Sequence, residues 1–165
     1  MLRFGACYHP EQWTPEQAKD HIKLMAKAHM NFARMGEACW ARFEPEQGRF
    51  RFEWLDPVIA SLHKEGIATV LCTPAAIAPL WVFNRHANVV RVDARGHKAP
   101  VTAPHACCVN APEFQMLTDA IVQQLARHHH VGPRGAGGLL RALFQAADAD
   151  LEELIEIVGG DAEKA

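Results

Sequence analysis

What this 165-residue chain lacks narrows its possibilities before any motif is read. It has no excess of basic charge: 17 lysines and arginines stand against 19 aspartates and glutamates, a formal net charge of −2. A surface of that balance gives no general attraction for nucleic acid or for an anionic membrane. There is no uninterrupted apolar run of the roughly 20 residues needed to cross a bilayer. The opening Met1-Leu2-Arg3-Phe4-Gly5 lacks the long apolar region of a secretory signal, so a cytoplasmic location is expected. A disulfide framework is missing as well. The five cysteines, Cys7, Cys39, Cys72, Cys107 and Cys108, are odd in number and scattered. Cys7, Cys39 and Cys72 fall in or just after expected strands, where a small buried thiol is common, and reduced structural thiols are expected.

What is present is ordinary for a soluble globular chain, with 49% hydrophobic and 22% charged residues. A strand–helix alternation repeats every ~30–35 residues, the spacing of βα units. Leu2 to Tyr8 reads as a first strand. Thr14-Pro15-Glu16-Gln17 then opens a helix, with Thr14 as N-cap, Pro15 at the first helical position and Gln17 closing a capping box. This helix runs to about His29, with Ala18, Ile22, Met25 and Ala26 on one face. Phe32 to Met35 is the second strand. Trp54, Leu55, Val58, Ile59 and Leu62 recur at helical spacing until Gly66, and Ala68 to Cys72 forms an apolar third strand. A short helix from Pro79 to about Arg85, an extended Val89 to Asp93 and a loop from Ala94 to Ala111 follow. The next helix spans Pro112 to about His128 and buries Phe114, Leu117, Ile121 and Leu125. Three successive βα units with near-continuous strands predict an α/β fold with a parallel sheet or barrel over residues 1–130.

Past residue 130 the character changes. Residues 131–138 form a Gly/Pro-rich linker that no core strand would tolerate. Leu139, Leu143, Ala147, Leu151, Leu154 and Val158 then space one amphipathic helix, ended by Gly159-Gly160.

The stretch from Asn31 to Asp56 carries the functional signal. A guanidinium in a core strand is costly unless partnered, yet Arg34 lies near the end of the second strand and leads into Gly36-Glu37. At the carboxyl end of a parallel strand such a residue points into a polar pocket, where barrel enzymes place their active sites. An aromatic-rich loop, Trp40 through Phe43 and Glu44-Pro45, follows. The order of strand, pocket charges, Trp40, Glu44-Pro45-x-x-Gly48-x-Phe50 and Phe52-x-Trp54-Leu55-Asp56 resembles the N-terminal part of family 42 glycoside hydrolases, the bacterial β-galactosidases. Tyr8-His9-Pro10-Glu11-Gln12-Trp13 is similar to that family's first strand–helix junction. Thr73-Pro74 and Pro79-Leu80-Trp81 are similar to its third strand end and the short helix beyond. Several ordered motifs agree across about residues 2–130, which makes the resemblance specific.

That resemblance implies the first three βα units of a TIM (β/α)8 barrel with an extra C-terminal helix, and a parent activity of hydrolysing terminal β-D-galactosides with retention. A whole barrel needs about 250 residues, so exposed sheet edges would call for cover by the tail helix or self-association. Retaining hydrolysis needs two carboxyl groups about 5–5.5 Å apart, one protonated and one ionised. In the family these are glutamates after the fourth and seventh strands, and neither has a counterpart here. The family's fourth strand ends in a Trp-containing run and an Asn-Glu pair, also absent from this sequence. Truncation, a disrupted reading frame or a fusion would each leave such an ending. Glu44, Glu46 and Asp56 read as surface and capping residues, so no improvised catalytic pair with Glu37 is expected. No catalytic residue is assigned, and the chain alone is expected to be inactive.

By the same resemblance Arg34 is a substrate-binding arginine for galactose, and Glu37 a pocket residue that binds sugar or orients Arg34. The competing reading of the pair is a structural ion pair. Trp40 and Trp81 offer sugar-stacking faces, but aromatics of this spacing more often belong to the core. The 102–110 loop departs from the family: Pro104 and His105 replace an arginine pair, and Asn110 is expected to cap the turn before Pro112. Cys108 aligns with the first ligand of a zinc cluster found in some members, whose other three cysteines are missing. Four ligands make a tetrahedral site, so neither a metal nor another cofactor is expected. The run His128-His129-His130 reads as a solvated helix end favoured by the helix dipole. A non-catalytic sugar-binding or scaffold module, and a barrel glycosidase of another specificity such as an arabinosidase, stay open.

Overall fold

The computed structural model of the chain describes residues 2–129; the expected linker over 131–138 and the helix beyond it lie outside the described residues. Three strands, β1 (Gly5–Cys7), β2 (Phe32–Met35) and β3 (Ala68–Leu71), form one parallel sheet in the order β1-β2-β3. The register sets Cys7 beside Arg34 and Arg34 beside Val70, with Ala6, Ala33 and Thr69 forming the neighbouring row. In-register residues of a parallel sheet share a face, and successive rows alternate faces. Ala33, Met35 and Leu71 therefore face the apolar layer, where all three are buried with Ile22, Met25 and Leu62. Cys7, Arg34 and Val70 occupy the opposite face.

Local sequence explains the elements. Helix α1 (Pro15–Lys27) begins with the expected capping box: the Gln17 N–H donates to Thr14 Oγ1 at 3.3 Å and the Thr14 N–H to Gln17 Oε1 at 3.0 Å. Ala18, Ile22 and Met25 are its buried residues. The first strand is shorter than Leu2–Tyr8, yet its ladder reaches further, through Asn31 N–H to Phe4 O at 2.8 Å and Tyr8 N–H to Arg34 O at 2.7 Å. A Cβ on Gly5 would fall on the carbonyl of Phe32, so β1 can approach β2 this closely only with glycine there. The second strand has the expected bounds, and the third stops one residue early, although the Cys72 N–H still donates to Met35 O at 2.8 Å.

After β2 the chain reverses at Gly36, whose φ of 92° lies in the left-handed region that glycine adopts without a Cβ penalty. The segment expected as an aromatic loop contains one helical turn, α2 (Trp40–Phe43), because Trp40 and Phe43 both turn inward and are fully buried. Helix α3 (Asp56–Lys64) follows; Leu55 and Leu62 are its fully buried anchors, and Gly66 (φ 74°) ends it. Helix α4 (Leu80–Arg85) and a short 3-10 turn lead into an extended stretch in which Val90 bridges Cys107 and Val92 bridges Lys98, both antiparallel. Helix α5 (Pro112–His128) has the expected bounds and buries Phe114, Leu117, Ile121 and Leu125. Its N-cap is Ala111, without a side-chain cap, so the capping role expected of Asn110 does not arise. No helix among the described residues is long and apolar enough to cross a membrane.

Candidate functional site

The open face of the sheet gathers polar and titratable side chains at its carboxyl end. Arg34 leaves the third position of β2 toward that face, and the turn at Gly36 brings Glu37 back over it. Arg34 Nη1 donates to Glu37 Oε2 at 2.6 Å, a short charge-assisted bond. The same nitrogen donates to the Cys7 Sγ, 3.6 Å away on the neighbouring strand. The two charged side chains are 27% and 38% exposed, open enough for a small molecule to reach them.

The electrostatics follow from this contact. The hydrogen bond to Glu37 holds the Arg34 guanidinium still more firmly protonated than usual, against a smaller opposing effect of burial. The Glu37 carboxyl is held below its ordinary range, first by the bond from Arg34 and then by its charge, with smaller contributions from His9 and His105. Burial pushes the Cys72 thiol up to about 11, partly offset by Arg34, so it stays a protonated thiol near neutral pH. Cys39 is pushed up further, to about 12, mainly by burial and by Glu11. Neither thiol is poised as a nucleophile.

The sign of the pH dependence is fixed by the depressed Glu37 value. A carboxylate more acidic in the folded state stabilises the fold above its unfolded pKa, and that contribution disappears as pH falls through the folded value. Partial exposure keeps the effect small. Glu37 is expected to titrate with a midpoint below the ordinary 4.5 in carboxyl-carbon NMR. Arg34→Met should return it toward that value; an unchanged midpoint in the variant would show that the ion pair does not set it.

Other expectations need correction. Glu44, read as a surface residue, is only 3% exposed. Its carboxylate accepts from Trp40 Nε1 at 2.8 Å and from the Gly48 N–H at 2.7 Å, and its backbone oxygen accepts from Trp81 Nε1 at 2.9 Å. Its acceptors are taken up in holding the loop together. Trp40 is fully buried and belongs to the core, its ring 6.0 Å from that of Phe114. Trp81 is half-buried, with its indole N–H engaged. Cys7 is exposed rather than buried, at the edge strand and on the face of the sheet opposite the apolar layer, while Cys39 and Cys72 are buried as expected. The helix end at His128-His129 is not simply solvated, since the His129 side chain is 5% exposed.

Sequence reasoning assigned no role to His9 or His105. Both act on Glu37, and His9 Nδ1 lies 3.1 Å from Glu11 Oε1. His105 has a φ of 56°, and its N–H donates to Ala76 O at 2.7 Å, which anchors the 102–110 loop near the end of β3. The signal for His9 was its place at the first strand end. For His105 there was none, because only the folded loop brings it near Glu37.

These strand-end charges, on the carboxyl side of three consecutive parallel strands, lie within a region that has relatives. Residues 7–135 match the family model for β-galactosidase, glycoside hydrolase family 42. The chain belongs to that family. It is 37% identical over 136 residues to a β-galactosidase of Haloferax lucentense, an alignment covering 82% of this chain and 20% of that protein. With a Thermus thermophilus β-galactosidase the identity is 36% over 125 residues, or 76% of this chain and 19% of the relative. Among solved structures, the β-galactosidase of the Antarctic haloarchaeon Halorubrum lacusprofundi superposes with a TM-score of 0.76 at 33% identity, covering 83% of this chain and 20% of that one. The β-galactosidase of Marinomonas ef1 gives 0.74 at 26% identity, with 78% and 20% covered. The family 42 chain thus spans about one fifth of the length of these relatives. The haloarchaeal match shows that the family 42 resemblance is not confined to bacterial enzymes.

Proposed function

We propose that residues 2–129 are the first three βα units of a family 42 (β/α)8 barrel and supply one wall of a β-galactoside pocket, with Arg34 and Glu37 as the sugar-contacting pair. The observation that carries this reading is the 2.6 Å Arg34–Glu37 contact on the partly open face of β2. It places a planar donor fork beside an acceptor. Adjacent hydroxyls of a pyranose present that complementary pattern, each able to donate and to accept. Five guanidinium donors exceed what one carboxylate and one weakly accepting thiol use, so Arg34 has hydrogen bonds left for a ligand. Glu37 orients that fork and serves as acceptor for a sugar hydroxyl.

The same reading makes this wall a binding element without a catalytic pair. Glu37 is charge-neutralised by Arg34, and Glu44 is consumed by Trp40 and Gly48, so the two carboxyl groups of opposed protonation that retention requires are not among them. The chain by itself then binds a galactoside without cleaving it. A cytoplasmic site is part of this proposal, supported by five free cysteines without a framework spacing.

The test is direct. The purified chain should release no chromophore from a chromogenic β-galactoside, and turnover would overturn the non-catalytic reading. Galactose titrated into the chain and followed by calorimetry should give a weak saturable heat. Arg34→Met should weaken that binding by about 10-fold or more, the usual worth of a charge-assisted hydrogen bond. A flat trace with the unaltered chain would remove the sugar wall.

A further inference from the structure

We infer that Asp56, His128 and His129 form a binding site for a divalent transition-metal ion of the zinc, cobalt or nickel kind, closing α5 onto the first turn of α3. Asp56 opens α3, His128 is the last residue of α5 and His129 its C-cap, so the three meet across 72 residues of chain. His128 Nε2 lies 3.0 Å from Asp56 Oδ1 and 3.1 Å from Oδ2, and His129 Nδ1 lies 3.5 Å from the same Oδ1. All three ligand atoms fall within 4.8 Å of one another.

Those separations suit coordination. Metal–nitrogen and metal–oxygen bonds of about 2.0–2.1 Å in a tetrahedron set neighbouring ligand atoms about 3.3 Å apart. The distances of His128 Nε2 and His129 Nδ1 from Asp56 Oδ1, 3.0 and 3.5 Å, lie on either side of that value. Two imidazoles and one carboxylate form a donor set of intermediate hardness that favours zinc, cobalt or nickel over magnesium or calcium.

The surroundings prepare the rings for this. The imidazoles of His128 and His129 stand 84° apart at 4.8 Å between centroids, which lets different nitrogens of adjacent residues converge on one oxygen. Phe52 packs against both, at 5.3 and 6.3 Å, and limits their rotation. His129 is 5% exposed and Asp56 is 47% exposed, so the site has a buried wall and an open side. Water fills the remaining coordination position from that side. Without the ion the same contact is a hydrogen bond between the Asp56 carboxylate at a helix start and His128 at a helix end. The site is independent of the sugar wall.

Cobalt(II) titration of the full chain, followed by visible absorption and thermal melting, decides the matter. One equivalent should bind with the absorption of a nitrogen–oxygen environment, without a thiolate charge-transfer band, and should raise the melting temperature. Asp56→Asn keeps the shape and a hydrogen-bond acceptor. It should weaken binding by about 10-fold or more and abolish the melting shift. His128→Gln, on the other element, should give the same loss, and far-ultraviolet circular dichroism checks that each variant is folded. Undiminished binding by folded Asp56→Asn would assign the ion to the histidine run alone and overturn the proposal. A thiolate band or the absence of stoichiometric binding would overturn it as well.

Discussion

Truncating Trp40 to alanine is expected to lower the free energy of unfolding by about 4 kcal/mol, the usual cost of emptying a buried indole site. Trp40 has no exposed surface, and its ring packs beside Phe114 at the start of α5. The substitution removes apolar burial where the turn after β2 meets α5. It also strips Glu44 of the indole donor that satisfies its Oε2. Set against a typical domain stability of about 5–15 kcal/mol, this is enough to leave the variant partly unfolded at moderate temperature. Urea unfolding followed by circular dichroism measures it. A loss under about 1 kcal/mol would mean that neighbouring side chains collapse into the space.

The second large effect is expected at Glu44. Glu44→Ala should cost about 2 kcal/mol, because it orphans the buried Trp40 Nε1, a loss of about 1–3 kcal/mol when left unsatisfied, and also removes the part-buried bond from the Gly48 N–H, which water can replace in part. Glu44→Gln should cost roughly half as much, since an amide keeps one acceptor but turns a donor toward the other partner. Trp40 and Glu44 share one hydrogen bond, so their losses should not add. A double-mutant cycle with Trp40→Phe and Glu44→Gln should show a coupling of about 1 kcal/mol. Additive losses would show that the carboxylate and the indole act separately.

The parts of the fold visible in the sequence were those with strong local rules. The Thr14–Gln17 capping box, the Phe32–Met35 strand and the Pro112–His128 helix each rest on spacing within one element. Glu44 was misread because the run Glu44-Pro45-Glu46-Gln47-Gly48 has the composition of an exposed turn. Its partner Trp40 lies four residues earlier, a spacing that brings side chains together on a helical turn and offered a usable signal. Cys7 was misread for a different reason. A short apolar strand does not say which of its two faces will be covered.

At the candidate site the contact between Arg34 and Glu37, offered by the sequence as the competing ion-pair reading, was legible because a charge inside an apolar strand demands a partner, and one lay three residues away. His9 and His105 act on Glu37 from separate loops, so their contribution appears only once the sheet has placed those loops side by side. The approach of Asp56 to His128 lies further still from anything periodicity reports.

The indole of Trp81 donates to the Glu44 carbonyl, and Arg85 Nη1 donates to Gln47 Oε1 at 2.8 Å, so the crossing that follows the second strand and the one that follows the third share a common fastening. Neither can be swapped for a homologous segment in isolation. Anyone recombining this region with pieces of related proteins would have to transplant residues 40–49 together with 79–85 as one cassette.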